Sequence, residues 1–151
     1  MIEKFFFVIA IMIVGGTLSV AQTPVKSEPN VGKEVGPIRS SPAYAEVLLR
    51  RTELQADLES LLGAYTEENP KIIDIRFEIA ALIKDIDRLF AVRPSETGKL
   101  TLALGKMIVR KAELETDLTR LLRKYKPDNP EALRLKRKVE IYAAAIKEIL
   151  G

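Results

Sequence analysis

The sequence predicts an all-α protein made of two tandem antiparallel helical hairpins, and three observations carry that prediction. One stretch occurs twice: Glu53-Leu54-x-x-Asp57-Leu58-x-x-Leu61-Leu62-x-x-Tyr65-x-x-x-Asn69-Pro70 returns as Glu113-Leu114-x-x-Asp117-Leu118-x-x-Leu121-Leu122-x-x-Tyr125-x-x-x-Asn129-Pro130. Every matched residue is displaced by 60 in number, and nine of the 18 positions are identical, so the period sets the architecture. Apolar residues on both sides of each Asn-Pro step by three and four, the helical spacing. Each Asn-Pro is a short turn followed by a helix start, which makes the flanking helices antiparallel neighbours.

Taken in order, residues 1–21 predict an export signal. Phe5 to Val14 is an unbroken apolar run, and Ser19-Val20-Ala21 places small residues before a cleavage point after Ala21. If that segment is left uncleaved it is an N-terminal anchor, although the 16 residues from Phe5 to Val20 fall short of the roughly 20 a spanning helix needs. Either way the expected location is the cell envelope, periplasmic or secreted. Residues 22–40 hold Pro24, Pro29, Pro37, Gly32 and Gly36 with no apolar period, which predicts a flexible tether.

Residues 41–92 are the first hairpin. Ser41-Pro42 supplies an N-cap hydroxyl and a proline at the first helical position. Tyr44, Val47, Leu54, Leu58, Leu61 and Tyr65 then form a seam interrupted by Arg51. Asn69-Pro70 starts the return helix, whose seam is Ile72, Ile75, Ile79, Leu82, Ile86 and Leu89, widened by Ile73, Ile83 and Phe90. Residues 93–151 repeat the plan. Ser95 is the expected cap, and the seams are Leu104, Met107, (Lys111), Leu114, Leu118, Leu121, Tyr125 and then Ala132, Leu135, Val139, Tyr142, Ile146, Ile149. The expected helices run about 25, 21, 31 and 21 residues. Docking of the two hairpins on each other would give a four-helix bundle. Arg51 and Lys111 interrupt their seams at equivalent places, with stems that snorkel or charges that set register; Arg51 is expected beside Asp85 or Asp87, and Lys111 beside Ala143 to Ala145.

Composition removes whole classes of chemistry. The chain has no cysteine and no histidine, so disulfides, thiolate sites, the commonest general base and the commonest metal ligand are absent. The carboxylates lie at helical spacing suited to intrahelical pairs such as Glu46 with Arg50, and there is no glycine-rich phosphate loop. No catalysis and no cofactor or metal is expected.

Charge is divided between the repeats. Residues 41–92 carry 6 Lys/Arg against 10 Asp/Glu, net −4, and residues 101–151 carry 12 against 7, net +5. Opposite charge on two copies of one shape favours docking, within a chain or head-to-tail between chains. The basic residues gather near the second turn as Arg120, Arg123, Lys124 and Lys126, faced by Arg134, Lys136, Arg137 and Lys138. Such a tip suits an anionic glycan or lipid, and no groove-reading motif points to nucleic acid. Tyr65 and Tyr125 stand four residues before each Asn-Pro, where they close the hairpin tip or meet a partner or sugar.

The Leu-Leu-x-x-Tyr-x-x-x-Asn-Pro segment followed by an Ile/Leu heptad resembles the periplasmic coiled-coil hairpin of bacterial polysaccharide chain-length determinant and exopolysaccharide transport proteins. Asn69-Pro70 and Asn129-Pro130 stand where that family often has His-Pro. The resemblance implies an envelope coiled coil and transfers no activity. Together these observations predict a structural or interaction scaffold with a protein partner or self-association; the other expectation is a module binding anionic glycan or lipid through the second hairpin.

Overall fold

The computed structural model describes residues 36–151, and they form two helical hairpins packed on each other. The elements are α1 (Gly36–Arg39), α2 (Pro42–Leu62), α3 (Pro70–Phe90), a 3-10 helix (Pro94–Lys99), α4 (Leu102–Leu122) and α5 (Pro130–Leu150), with no strand among the described residues. The four long helices have 21 residues each, and their ends correspond at the same displacement of 60 that the sequence shows. The expected signal and most of the expected tether lie outside the described residues. The last part of that tether is a short helix instead, with Ile38 buried.

Local chemistry explains each start. The Ser41 hydroxyl accepts from the Tyr44 amide at 3.3 Å, Asn69 Oδ1 from the Lys71 amide at 2.9 Å, and Asn129 Oδ1 from the Glu131 amide at 2.9 Å. In all three, proline occupies the first helical position, where no partner for an amide is available. The third long helix departs from expectation. Pro94–Lys99 winds into a 3-10 helix that absorbs Ser95, and Thr101 caps α4 by accepting from the Leu104 amide at 3.3 Å. Helices of about 25 and 31 residues therefore become two of 21. The connector is anchored: Leu100 is buried, and its carbonyl accepts from the Ala43 amide, an orphan donor of the first turn of α2.

The seams form the core. Val47, Leu54, Ile72, Ile75, Leu82, Ile86, Leu89, Leu104, Leu114 and Ile146 are buried. Ile73 and Ile83 do not join the α3 stripe and stay exposed, while Phe90 packs its ring 5.6 Å from that of Tyr44. α4 lies against α2, α3 and α5, and for that reason buries a second face, Gly105, Ile108, Ala112 and Thr116. The approach at Gly105 is tight: a Cβ there would stand 2.8 Å from Glu46 Cβ and 2.9 Å from Ala43 Cα. Ala43 beside Gly105 and Arg50 beside Glu113 make α2 and α4 parallel, so both hairpin tips lie at one end of the molecule.

Candidate interaction surface

The charge division acts inside one chain. At the tips, Asp74 of α3 accepts from Arg120 at 2.7 Å and from Arg123, both on the second hairpin. Midway along, Lys111 Nζ meets Asp85 at 3.0 Å; Asp85 also accepts from Arg88, and Lys111 also donates to Glu115. Between that pair and the tips, Arg50 donates to Glu78 at 2.9 Å and lies 3.9 Å from Glu113, joining three helices. Burial opposes the Arg50 charge, but the hydrogen bond to Glu78 and the charges of Glu78, Glu113 and Glu53 outweigh it and hold the guanidinium above its ordinary pKa. The Glu113 carboxylate raises Arg110 in the same way.

Two sequence expectations need correction here. Asp85 is held by Lys111 and not by Arg51, whose half-buried side chain leaves Nε without a partner among the described residues. α2 meets α3 along Arg50 and Glu78, and it is α4 that brings a cation to the level of Asp85. The second correction concerns the basic cluster, which is not one surface. Arg120 and Arg123 are spent on Asp74, whereas Lys124, Lys126, Arg134, Lys136, Arg137 and Lys138 are exposed and make no ion pair among the described residues. The sequence shows which residues are basic, but not that Asp74 sits under the second tip.

Tyr65 and Tyr125 are both about half exposed, at the same end of the molecule. The first tip is fastened by Arg76, which pairs with Glu67 at 2.8 Å and holds that carboxyl below its ordinary value.

α5 is the least covered long helix. Ala132 and Ile146 are its buried residues, and it packs chiefly on α4. Ile141 is 60% exposed and Leu133 52%, interleaved with Arg134, Arg137 and Lys138. Between α3 and α5 a groove runs over α4. One cavity of 560 Å³ includes Arg88, Val92, Ala143 and Leu150, and a second of 460 Å³ includes Phe77, Lys84, Lys111 and Ala143. Sequence reasoning missed this outward apolar face of α5, because Leu133 and Ile141 lie off the heptad seam. Their presence there is itself the signal.

Among the described residues, no helix is long and apolar enough to cross a membrane, and no group of three or more His, Asp or Glu side chains is placed to hold a metal. Comparison of the chain with models of known protein families, with curated proteins and with solved structures gives no match.

Proposed function

We propose that this chain is an exported cell-envelope protein, periplasmic or secreted, that works as a non-catalytic helical scaffold and engages a protein partner through the open side of its second hairpin. The observation that carries this is the outer face of α5, where Leu133 and Ile141 stand more than half exposed beside Arg134, Arg137 and Lys138. Each large apolar side chain that a partner covers contributes about 25 cal/mol per Å² of area removed from water, and an interleaved cation gives the contact orientation. Export rests on the Phe5–Val14 run with Ser19-Val20-Ala21, and the resemblance to envelope coiled coils points the same way. A photo-activatable cross-linker at Ile141 tests it in cells of the natural host. Discrete protein adducts in the envelope fraction are the expected result. Adducts to lipid alone, or none from folded exported protein, overturn it.

A second reading has its own observation. Six cations near the second tip, Lys124, Lys126, Arg134, Lys136, Arg137 and Lys138, are exposed without ion pairs among the described residues. Such a surface binds anionic glycan or lipid head groups, and that attraction fades at high ionic strength. Charge reversal at Lys124, Arg137 and Lys138 is expected to abolish co-sedimentation with anionic vesicles. Unchanged binding sinks this reading and leaves the scaffold untouched.

A further inference from the structure

The repeat makes one contact inside the chain and leaves both halves of the same contact open at its ends. The seam by which α4 docks onto the first hairpin is Gly105, Ile108, Ala112 and Thr116, all buried. Displaced by 60, the same seam in α2 is Ala45, Leu48, Thr52 and Ala56, and it is exposed apart from half-buried Leu48. The receiving side shows the same imbalance. α4 is received on α2 at Ala43 and Glu46, with Arg50 further along, and on α3 at Asp74 and Asp85. The equivalents of the α2 residues are Ala103, Lys106 and Arg110, all exposed on α4. On α5, exposed Arg134 replaces Asp74 and half-buried Ala145 replaces Asp85, while exposed Lys138 replaces Glu78, the partner of Arg50.

The two most exposed large apolar side chains fall on these two open faces. Leu49, 57% exposed, is the counterpart of Val109, and Ile141, 60% exposed, is the counterpart of Ala81; Val109 and Ala81 both pack against the core. Charge agrees with the match. Within the chain the α3 carboxylates Asp74 and Asp85 receive the second hairpin's Arg120, Arg123 and Lys111. At the open end a basic face of Arg110, Arg134 and Lys138 awaits a helix that carries Glu53, Asp57 and Glu59, which describes α2. The weak contact of Arg50 with Glu113 has a direct counterpart in Arg110 with Glu53.

We infer that the partner of the open face is a second copy of this chain: α2 of one molecule seats between α4 and α5 of the next and continues the internal repeat head to tail. Such a contact is heterologous, so it adds molecules in one direction and does not close into a two-fold dimer. It rests on the scaffold reading and names the partner for that reading.

The absence of native cysteine allows a direct test on the full chain. In the internal contact, Gly105 abuts Ala43; in the proposed contact Ala45 of one molecule faces Ala103 of another, and because Ala45 carries the Cβ that Gly105 lacks the two helices stand further apart there, at a spacing a disulfide can bridge. Ala45→Cys and Ala103→Cys are both at exposed positions, so neither disturbs the core. Mixed under oxidising conditions, the two variants are expected to form a mixed disulfide dimer, with no dimer from either alone. A chain with both changes is expected to give a ladder of multimers. Adding Arg110→Glu to the Ala103→Cys variant should lower the yield about tenfold, and adding Glu53→Arg to the Ala45→Cys variant should restore it. No mixed disulfide, or a dimer of like variants, overturns head-to-tail stacking. Ile141 adducts that persist in cells when no mixed disulfide forms would leave the scaffold reading standing and remove only self-stacking.

Discussion

Lys111 Nζ lies 3.0 Å from Asp85 Oδ2, and the two side chains, 8% and 1% exposed, tie the second hairpin to the first inside the protein. Taking both charges out of water opposes folding, and their attraction repays this only while both are present. Glu115 and Arg88 share the network, so a lone survivor is not wholly uncompensated. Asp85→Ala is therefore expected to destabilise by about 3 kcal/mol, the lower end of what breaking a buried pair costs. The double change Asp85→Leu with Lys111→Met should recover most of that loss in urea denaturation. A double variant as unstable as the single one would show that the pair itself, and not the stranded charge, dominates.

At Gly105, α4 lies tight against α2. Alanine has a helix propensity about 1 kcal/mol better than glycine, so an uncrowded site would gain from the change. Here the new methyl would meet the backbone of Ala43 at 2.9 Å, and backbone cannot swing aside. Overpacking of this kind costs about 1 to 3 kcal/mol, so Gly105→Ala is expected to lower the Tm despite better propensity. A raised Tm would mean that the hairpins separate at little cost.

The hairpins were legible in the sequence because each one is written locally. Asn69-Pro70 and Asn129-Pro130 are start signals that tertiary context does not override, and the seams through Leu54, Leu82 and Leu114 are buried as their spacing predicts. The contact between hairpins was less legible, since it uses a second face of α4 whose small residues, Gly105 and Ala112, give no apolar period. The pairing of Asp74 with Arg120 and Arg123 joins residues more than 40 apart and depends on the parallel arrangement of α2 and α4, which no local signal encodes. That pairing removed two residues from the expected basic surface. Ile141 was passed over for a related reason: a core-seeking pattern discards apolar residues that point outward.

The start of α4 separates a cap in fact from a cap in composition. Thr101 accepts from the Leu104 amide, while Ser95 lies inside the 3-10 helix. Thr101→Ala is expected to cost about 1 kcal/mol, the usual loss of an N-cap hydroxyl, and Ser95→Ala a few tenths at most. Thermal melts of the two variants compare them directly. Equal losses would mean that the connector forms a continuous helix in solution.

The first tip should respond to acid. Arg76 holds the Glu67 carboxyl below its ordinary value near 4.5, first through the hydrogen bond and then through charge. A carboxyl depressed in the folded state contributes stability above its unfolded value and loses it as pH falls through the folded one. The tip is thus expected to be constant from neutrality down to about pH 5 and to loosen below that. The NMR titration of the Glu67 carboxyl should give a midpoint below 4.5 that moves up to the ordinary value in Arg76→Gln. Identical midpoints in the two proteins would mean the pair is not populated in solution.

Asp74 joins the two tips and also neutralises part of the second one. Arg120 and Arg123 are half and one-third exposed, so the clasp itself is worth little, and Asp74→Asn is expected to cost about 1 kcal/mol or less and to do so only at low salt. Its larger effect is on charge. Without the carboxylate, Arg123 joins the six exposed cations near the tip while Arg120 keeps Asp117 at 3.0 Å, and attraction to anionic vesicles rises by roughly one additional charge contact, at about 1 kcal/mol. Vesicle co-sedimentation of Asp74→Asn at low salt should therefore exceed that of the unaltered chain. Should binding stay the same while the stability change appears, the second tip is not an anion-binding surface, and its cations serve the contact between chains.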